Sequence, residues 1–421
     1  MMNLLPIEVI ERIILKCDGK TLLNIQKIDE NWCQLIEYLT QKTEIWKWCV
    51  HEEIPKNELV EYCQKYSESP ADYRKWQSIY QKWLVWQNLG DDINYEIYST
   101  PIEMARISCM AVCGNHVALG SEDGRLKIYK TTWAMVHSSR RLAVKIKSLA
   151  FIDCGTKEKE ILCILISHAT GLLVSEINSF NNEIVIPDVV SHSVFGSYIC
   201  YEQVVCRTTI CKLVKLDDDH LQLKVIWYSR IYSPRCMNMW NGICTFLIDS
   251  VVKYIEYEKP EFTPMYDLKE KTFIDFKFTS QDNSYSCQSR RILRDDVVIT
   301  IYKNDDQEKS DFIEFCFLDE SNGYSTKLFN SSDVFLFNRI TCIFVYGNTL
   351  IIGLDIGNIY MYHVSSWKNL NLRNYDKKLI IGRHPIISIE VKEEDDERRF
   401  YIASRFCVHQ LTGYSLKYKN L

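Results

Sequence analysis

The sequence predicts a multidomain chain of the α plus all-β class, with a helical N-terminal block followed by a larger domain of repeated antiparallel strands. Three observations lead there. Six of the ten tryptophans lie before Gly90, but only one of the fifteen glycines, Gly19, does. Glycine is costly inside helices and useful in tight β-turns, so the chain changes character near that point. Apolar residues before Gly90 recur at helical spacing, and after it two strand triplets recur 233 residues apart.

Composition bounds the function. A chain of 421 residues has room for more than one domain. With 47% hydrophobic and 25% charged residues it belongs among globular chains and not disordered ones. A net charge of -5 argues against bulk electrostatic binding to nucleic acid, which needs a basic stripe. The seventeen cysteines form no C-x-x-C pair and sit in apolar runs such as "EILCILIS" and "NGICTFLI", which predicts buried thiols in a reducing compartment. The start "MMNLLPIEVIER" lacks a basic leader region, and no apolar run approaches ~18 residues. The expectation is a soluble protein of the cytoplasm, the nucleus or both, with no membrane partner.

The helices follow in order. Ile10, Ile13, Ile14 and Cys17 share one face of a first helix, with Pro6 in its first turn, where a missing N–H costs nothing. A short second helix carries Leu22, Leu23, Ile25 and Ile28. Asp29 is the N-cap of a third, with Trp32, Leu35, Ile36 and Leu39 on its face. Ile45, Trp46, Cys49 and Val50 mark a fourth. A longer helix follows "SESP", capped by Ser69 with Pro70 inside, and carries Trp76, Tyr80 and Trp83. Three short helices in about forty residues bury too little surface to stand alone, so another domain or another chain must complete them.

The ungapped series Leu5-Pro6-x-Glu8-Val9, Ile13-Ile14, Leu22-Leu23, Ile28, Trp32 and Leu35 resembles the F-box motif. The segments "EIWKWCVHEEI" and "YRKWQSIYQKWLVW" resemble those that trail the box in F-box proteins with propellers. Thr21, Asp29 and Glu30 depart from the family pattern near the second and third helices. The resemblance implies that Leu5, Pro6, Ile7, Val9, Ile13, Ile14, Leu22, Leu23, Ile28 and Trp32 bind a SKP adaptor. It divides the chain into an F-box at 1–52, a helical linker at 53–90 and a β-domain at 91–421.

Beyond Gly90, "CMAVCGNHVALGSEDGRLKIY" from Cys109 aligns with "CIFVYGNTLIIGLDIGNIYMY" from Cys342. Each reads as strand, Gly-Asn turn, strand, acidic-glycine turn, strand. The 233-residue offset is about five repeats at the ~40–45-residue period of WD repeats. "LGSEDGRLKIYK" resembles a WD-repeat core, with Tyr129-Lys130 and Tyr362-His363 where Trp-Asp is usual. Further first strands are expected near Ile146, Val190, Met237, Phe273 and Ile386, which makes a seven-bladed WD-repeat-like β-propeller. Six or eight blades stay open, because "KSDFIEFCFLDESNGYSTKLF" reads as a long outer strand or as a degenerate blade. A strand near "INYEIYST" is expected to close the ring on the last blade.

An F-box followed by a WD-repeat propeller is similar to the substrate receptors of SCF-type cullin-RING ubiquitin ligases. That resemblance implies a non-catalytic subunit which needs no cofactor or metal, docks on the SKP adaptor and holds a target protein for ubiquitination and proteasomal degradation. A non-degradative scaffold and a propeller enzyme are the alternatives. No G-x-S-x-G, P-loop, H-E-x-x-H or dinucleotide fingerprint occurs. "HEEIP" at His51 has the wrong spacing for zinc, and Ser121-Glu122-Asp123-Gly124 lacks the rest of a glycosidase Asp-box and reads as a turn.

For the target, Arg106, Arg235, Arg339 and Arg383 each precede an expected first strand, and Lys145, Lys147, His192 and Lys271 lie near equivalent points. In the family architecture these loops share the top face. Arginine suits carboxylate and phosphate through its planar fork, which suggests an acidic or phosphorylated degron. Ser108, Ser148, Thr341 and Ser388 stand where phosphodegron receptors often carry arginine. "KEEDDERR" from Lys392 and "LDDDH" from Leu216 read as solvated hairpin turns.

Overall fold

The computed structural model describes residues 5–55, 58–59, 62, 74–87, 93–138, 142, 144–155, 161–177, 179–216, 220–230, 234, 236–240, 242–248, 251–257, 270–275, 285–293, 297–304, 311–319, 323–336, 338–393 and 398–415. Among the described residues five helices with defined bounds come first: α1 (Ile7–Ile14), α2 (Gly19–Gln26), α3 (Glu30–Lys42), α4 (Ile45–Glu53) and α5 (Arg74–Trp86). Their caps explain their starts. The Asp18 and Asp29 carboxylates accept the N–H groups of Thr21 and Trp32 at 2.7 and 3.1 Å, satisfying donors that a helix start leaves open. Pro6 sits one position earlier than expected, as the residue that caps α1. α2 stops at Gln26, so Ile28 lies in the turn beyond it and not on the helix. The expected start at Ser69 and Pro70 lies outside the described residues.

Ile10, Ile14, Leu22, Leu23, Ile36, Leu39 and Trp46 form the centre of the helical block. One carboxylate links three of its elements: Glu53 on α4 accepts the Gly19 N–H at 2.8 Å and the Tyr80 hydroxyl at 2.5 Å. Burial and that hydrogen bond push the Tyr80 hydroxyl up, so it stays a donor.

The β-domain is a ring of seven four-stranded antiparallel sheets, a seven-bladed β-propeller. The innermost strands are Ile107–Cys113, Ile146–Asp153, Val189–Phe195, Cys236–Trp240, Tyr285–Ile292, Ile340–Tyr346 and Ile386–Glu393. One expected position is corrected. Phe273 lies in Glu270–Asp275, the outer strand of blade four, and blade five begins at Tyr285. The inner strand of blade five carries Gln288, Ser289, Arg290 and Arg291 in sequence, so it lacks the apolar run that marks an inner strand. "KSDFIEFCFLDESNGYSTKLF" supplies the third and fourth strands of that blade, Phe312–Asp319 and Gly323–Asn330, and no extra blade.

The strand Ile93–Pro101 closes the ring. It pairs antiparallel with Cys407–Ser415 over nine register positions, from Ile93 opposite Ser415 to Pro101 opposite Cys407, and so becomes the outer strand of blade seven. His409 links three strands of that blade, its Nδ1 2.8 Å from Ser99 Oγ and its Nε2 3.1 Å from Ser404 Oγ.

The repeat is visible in atomic detail. Blades one, two, six and seven each have a bulge near the start of the inner strand, after Ile107, Ile146, Ile340 and Ile386. Close packing between blades recurs as well. A Cβ at Gly120 would lie 2.8 Å from Ile146 Cγ2, and one at Gly353 would lie 2.7 Å from Ile386 Cγ2, so each glycine makes room for the first isoleucine of the next blade.

The helical block and the ring share one hydrophobic cluster. Trp86 on α5 packs 4.8 Å from the ring of Tyr346 and 5.4 Å from Phe400, and Tyr62 meets Tyr346 edge-on at 5.8 Å. Tyr346 ends the inner strand of blade six and Phe400 lies near the start of the second strand of blade seven, so the helices sit on that end of the ring. Gln87 Oε1 accepts from Asn348 Nδ2 at 2.9 Å in the same turn.

This contact separates two glycines that the repeat makes equivalent. Gly114 and Gly347 have φ of +51° and +54°, but a Cβ at Gly114 meets nothing within 4 Å, whereas one at Gly347 lies 2.4 Å from the Tyr62 hydroxyl. Gly114→Ala should cost only the left-handed backbone penalty, roughly 1–2 kcal/mol. Gly347→Ala should cost more and weaken the helical seam, measured by denaturant unfolding and by proteolysis near Gln87. Equal losses would mean that the seam is not packed as described.

Candidate functional site

The candidate site is an apolar surface on α1 and the α2–α3 turn. Apolar residues occupy most sides of α1. Ile10 and Ile14 point into the core, while Leu5, Val9 and Ile13, spaced by four, form an outward stripe. Leu5 is 52%, Ile13 53% and Ile28 65% exposed, and Ile7, Val9 and Pro6 are exposed beside them. Scattered exposed apolar side chains are ordinary, but Leu5, Ile7, Val9 and Ile13 on and beside one short helix make a concentrated exposed apolar surface.

The ten residues singled out from sequence therefore divide. Leu5, Pro6, Ile7, Val9, Ile13 and Ile28 present surface. Ile14, Leu22 and Leu23 are core, at 1%, 0% and 8% exposure, and Trp32 is half-buried against the same cluster. The buried residues hold the helices that display the others. Sequence reasoning did not single out Leu15, which is also exposed at the end of α1 and continues its apolar run.

The top-face cations divide too. Arg106 and Arg339 both directly precede an inner strand, and each carbonyl accepts the backbone N–H of the acidic residue in the facing turn, Glu122 at 2.9 Å and Asp355 at 3.0 Å. Glu122 takes up charge from two of the candidates, lying 4.0 Å from Arg106 and 3.6 Å from Lys145. Arg339, Arg383 and Lys147 are exposed. Arg235 lies outside the described residues. Lys271 falls in the outer strand of blade four, not before an inner one.

His192 is no surface cation. Its Nε2 lies 3.1 Å from Ser148 Oγ, joining blades two and three, and burial lowers its pKa to about 4. The serines of the inner strands likewise bond within the ring: Ser108 Oγ donates to the Ile146 carbonyl at 2.6 Å and Ser388 Oγ to the Met110 carbonyl at 3.4 Å. Ser121 Oγ donates to Asp123 at 2.5 Å and accepts the Arg125 N–H at 2.8 Å, so that acidic stretch is a turn. Among the described residues no group of three metal-ligating side chains occurs. A cavity of about 320 Å³ lies between blades five and six, lined by Ser289, Arg291, Ile301, Thr341 and Ile343 among others.

No family model and no curated protein sequence matches the chain. Solved structures match its shape. The N-terminal domain of Nup159 is similar at a TM-score of 0.51 and 8% identity, covering 78% of this chain and 97% of that one. The computationally designed Ika8 protein is similar at a TM-score of 0.41 and 9% identity, covering 73% and 98% respectively. At such identity the Nup159 likeness shows the fold alone, a β-propeller.

Two outcomes follow. Ile13→Ser and Ile28→Ser should each change stability by no more than about 0.5 kcal/mol. Ile14→Ala should cost about 2–5 kcal/mol, measured by denaturant unfolding. For His192 the folded pKa of about 4 lies below the ordinary value of 6.5. The unfolded chain then binds more protons, so this contribution is present above about 6.5 and is lost as pH falls toward 4, at no more than about 1.4 kcal/mol per pH unit. The stability difference between wild type and His192→Gln should shrink over that window. A difference independent of pH would mean that His192 does not titrate there.

Proposed function

We propose that this chain is the substrate-recognition subunit of an SCF-type ubiquitin ligase, with α1–α3 acting as an F-box that docks on the SKP adaptor and the propeller holding the target protein. The observation that carries this reading is the exposure of the apolar residues Leu5, Val9, Ile13 and Ile28, on helices whose sequence resembles the F-box without a gap. Central apolar anchors of this kind dominate interfaces, while the core residues beneath fix their geometry.

The role of the chain in this reading is positional. The aromatic seam around Trp86 fixes the helical block against one end of the ring, so a target on the opposite end is held at a set distance from the adaptor. The loops on that opposite end carry Arg106, Arg339 and Arg383, which supports an acidic target segment, phosphorylated or not. Ubiquitin transfer itself falls to the partners, so the chain is a non-catalytic subunit without a cofactor. A non-degradative scaffold built from the same two modules is the second reading, which the same stripe and seam support equally.

Pull-down with the SKP adaptor tests the docking. Leu5→Ala with Pro6→Ala should weaken capture severely, since central anchors often cost ~2 kcal/mol or more each, and should leave the melting temperature unchanged because both residues are exposed. An unchanged pull-down would reject the F-box assignment. Accumulation of a specific protein on depletion of this chain, together with recovery of a cullin, distinguishes the degradative role from the scaffold.

A further inference from the structure

Burial makes several of the thiols inert. Cys49, Cys109, Cys211, Cys236, Cys316 and Cys342 are all pushed up to about 12, chiefly by burial. Cys154 and Cys163 differ. Their Sγ atoms lie 3.5 Å apart across the first hairpin of blade two. Ile152 stands opposite Cys163 in the register and the Cys154 N–H bonds the Ile161 carbonyl at 3.0 Å, so the two cysteines are diagonal neighbours on one face.

The pair is asymmetric. Cys154 is half-buried at the edge of the hairpin, whereas Cys163 is 0% exposed. The hydrogen bond between the two thiols draws Cys154 below the ordinary thiol range, against the opposing effects of burial, Asp153 and Glu176. The same bond, then burial, Cys154 itself and Glu176 hold Cys163 far above that range, with Lys215 acting the other way. Glu176 and Lys215 form a largely buried ion pair at 2.9 Å beside the thiols.

We propose that Cys154 and Cys163 form a redox modification site, a dithiol that closes to an intramolecular disulfide when it meets a hydroperoxide. Cys154 attacks as the thiolate. With hydrogen peroxide, its sulfur takes one peroxide oxygen and the O–O bond breaks, giving a sulfenic acid, and the other oxygen leaves as water after taking up a proton. The Cys163 sulfur then displaces the sulfenic hydroxyl, which leaves as water with the Cys163 proton. In total two thiols and one peroxide give one disulfide and two waters. The sulfurs must close from 3.5 Å to bonding distance, about 2.05 Å. The product ties the first two strands of blade two together at their Asp153–Leu162 end.

The test uses the full chain and limiting hydrogen peroxide, followed by alkylation and non-reducing peptide mapping. The cross-linked peptide pair containing Cys154 and Cys163, lighter by two hydrogens, should form about tenfold sooner than any oxidation at the exposed Cys206 and Cys287. Cys163→Ser should leave Cys154 as a sulfenic acid trapped by dimedone, and Cys154→Ser should leave Cys163 unoxidised. The proposal is overturned if wild-type Cys154 stays fully alkylatable, if it passes to sulfinic acid without the cross-link, or if Cys206 or Cys287 oxidises first.

Discussion

The pairing of Ile93–Pro101 with Cys407–Ser415 is the constraint on which the rest of the molecule depends. A propeller without closure exposes the edge of its last blade and the face of its first, and open edges invite aggregation. Here a strand from before the first blade fills that edge, so the ring cannot close until the C-terminal strand has been made. The buried His409, held between Ser99 and Ser404, fixes the register by hydrogen bonds which a slipped strand could not form.

Closure also explains why the helices are where they are. The closing strand begins six residues after Gln87, which places α5 at the end of blades six and seven, where Trp86 fills the space between Tyr346 and Phe400. Aromatic pairs contribute about 0.5–1.5 kcal/mol beyond the area they bury, and here they connect two modules that would otherwise share only a tether. The helical block is thereby completed from within the chain on one side. Leu5, Val9, Ile13 and Ile28 of the same block stay exposed.

How much was legible follows the physics of each feature. The inner strands of blades one, two, six and seven were legible because each is a short apolar-rich run that opens with isoleucine, and those near Val190 and Met237 were legible as well. Blade five was displaced because its inner strand is rich in arginine and serine, and alternation does not rank strands within a sheet. The Asp29 cap was legible because capping is local. The fates of Val9 and Ile14 were not, since both belong to one apolar run and only the packing of α2 and α3 decides which of them is covered. His192 read as a loop cation, yet it is a strand residue bonded to the neighbouring blade.

By itself, the sequence determined the helical block, the repeated strand units, their turns and the change of architecture near Gly90, because each is set by periodicity and turn chemistry within a few residues. Tertiary structure alone decided which terminus supplies the outer strand of the closing blade, which glycine of an equivalent pair lies under an aromatic hydroxyl, which arginine meets Glu122, and that Cys154 lies against Cys163. Those outcomes join residues from 9 positions apart (Cys154 and Cys163) to 322 (Ile93 and Ser415, 415 − 93), and one sequence has no local signal for contacts at such range.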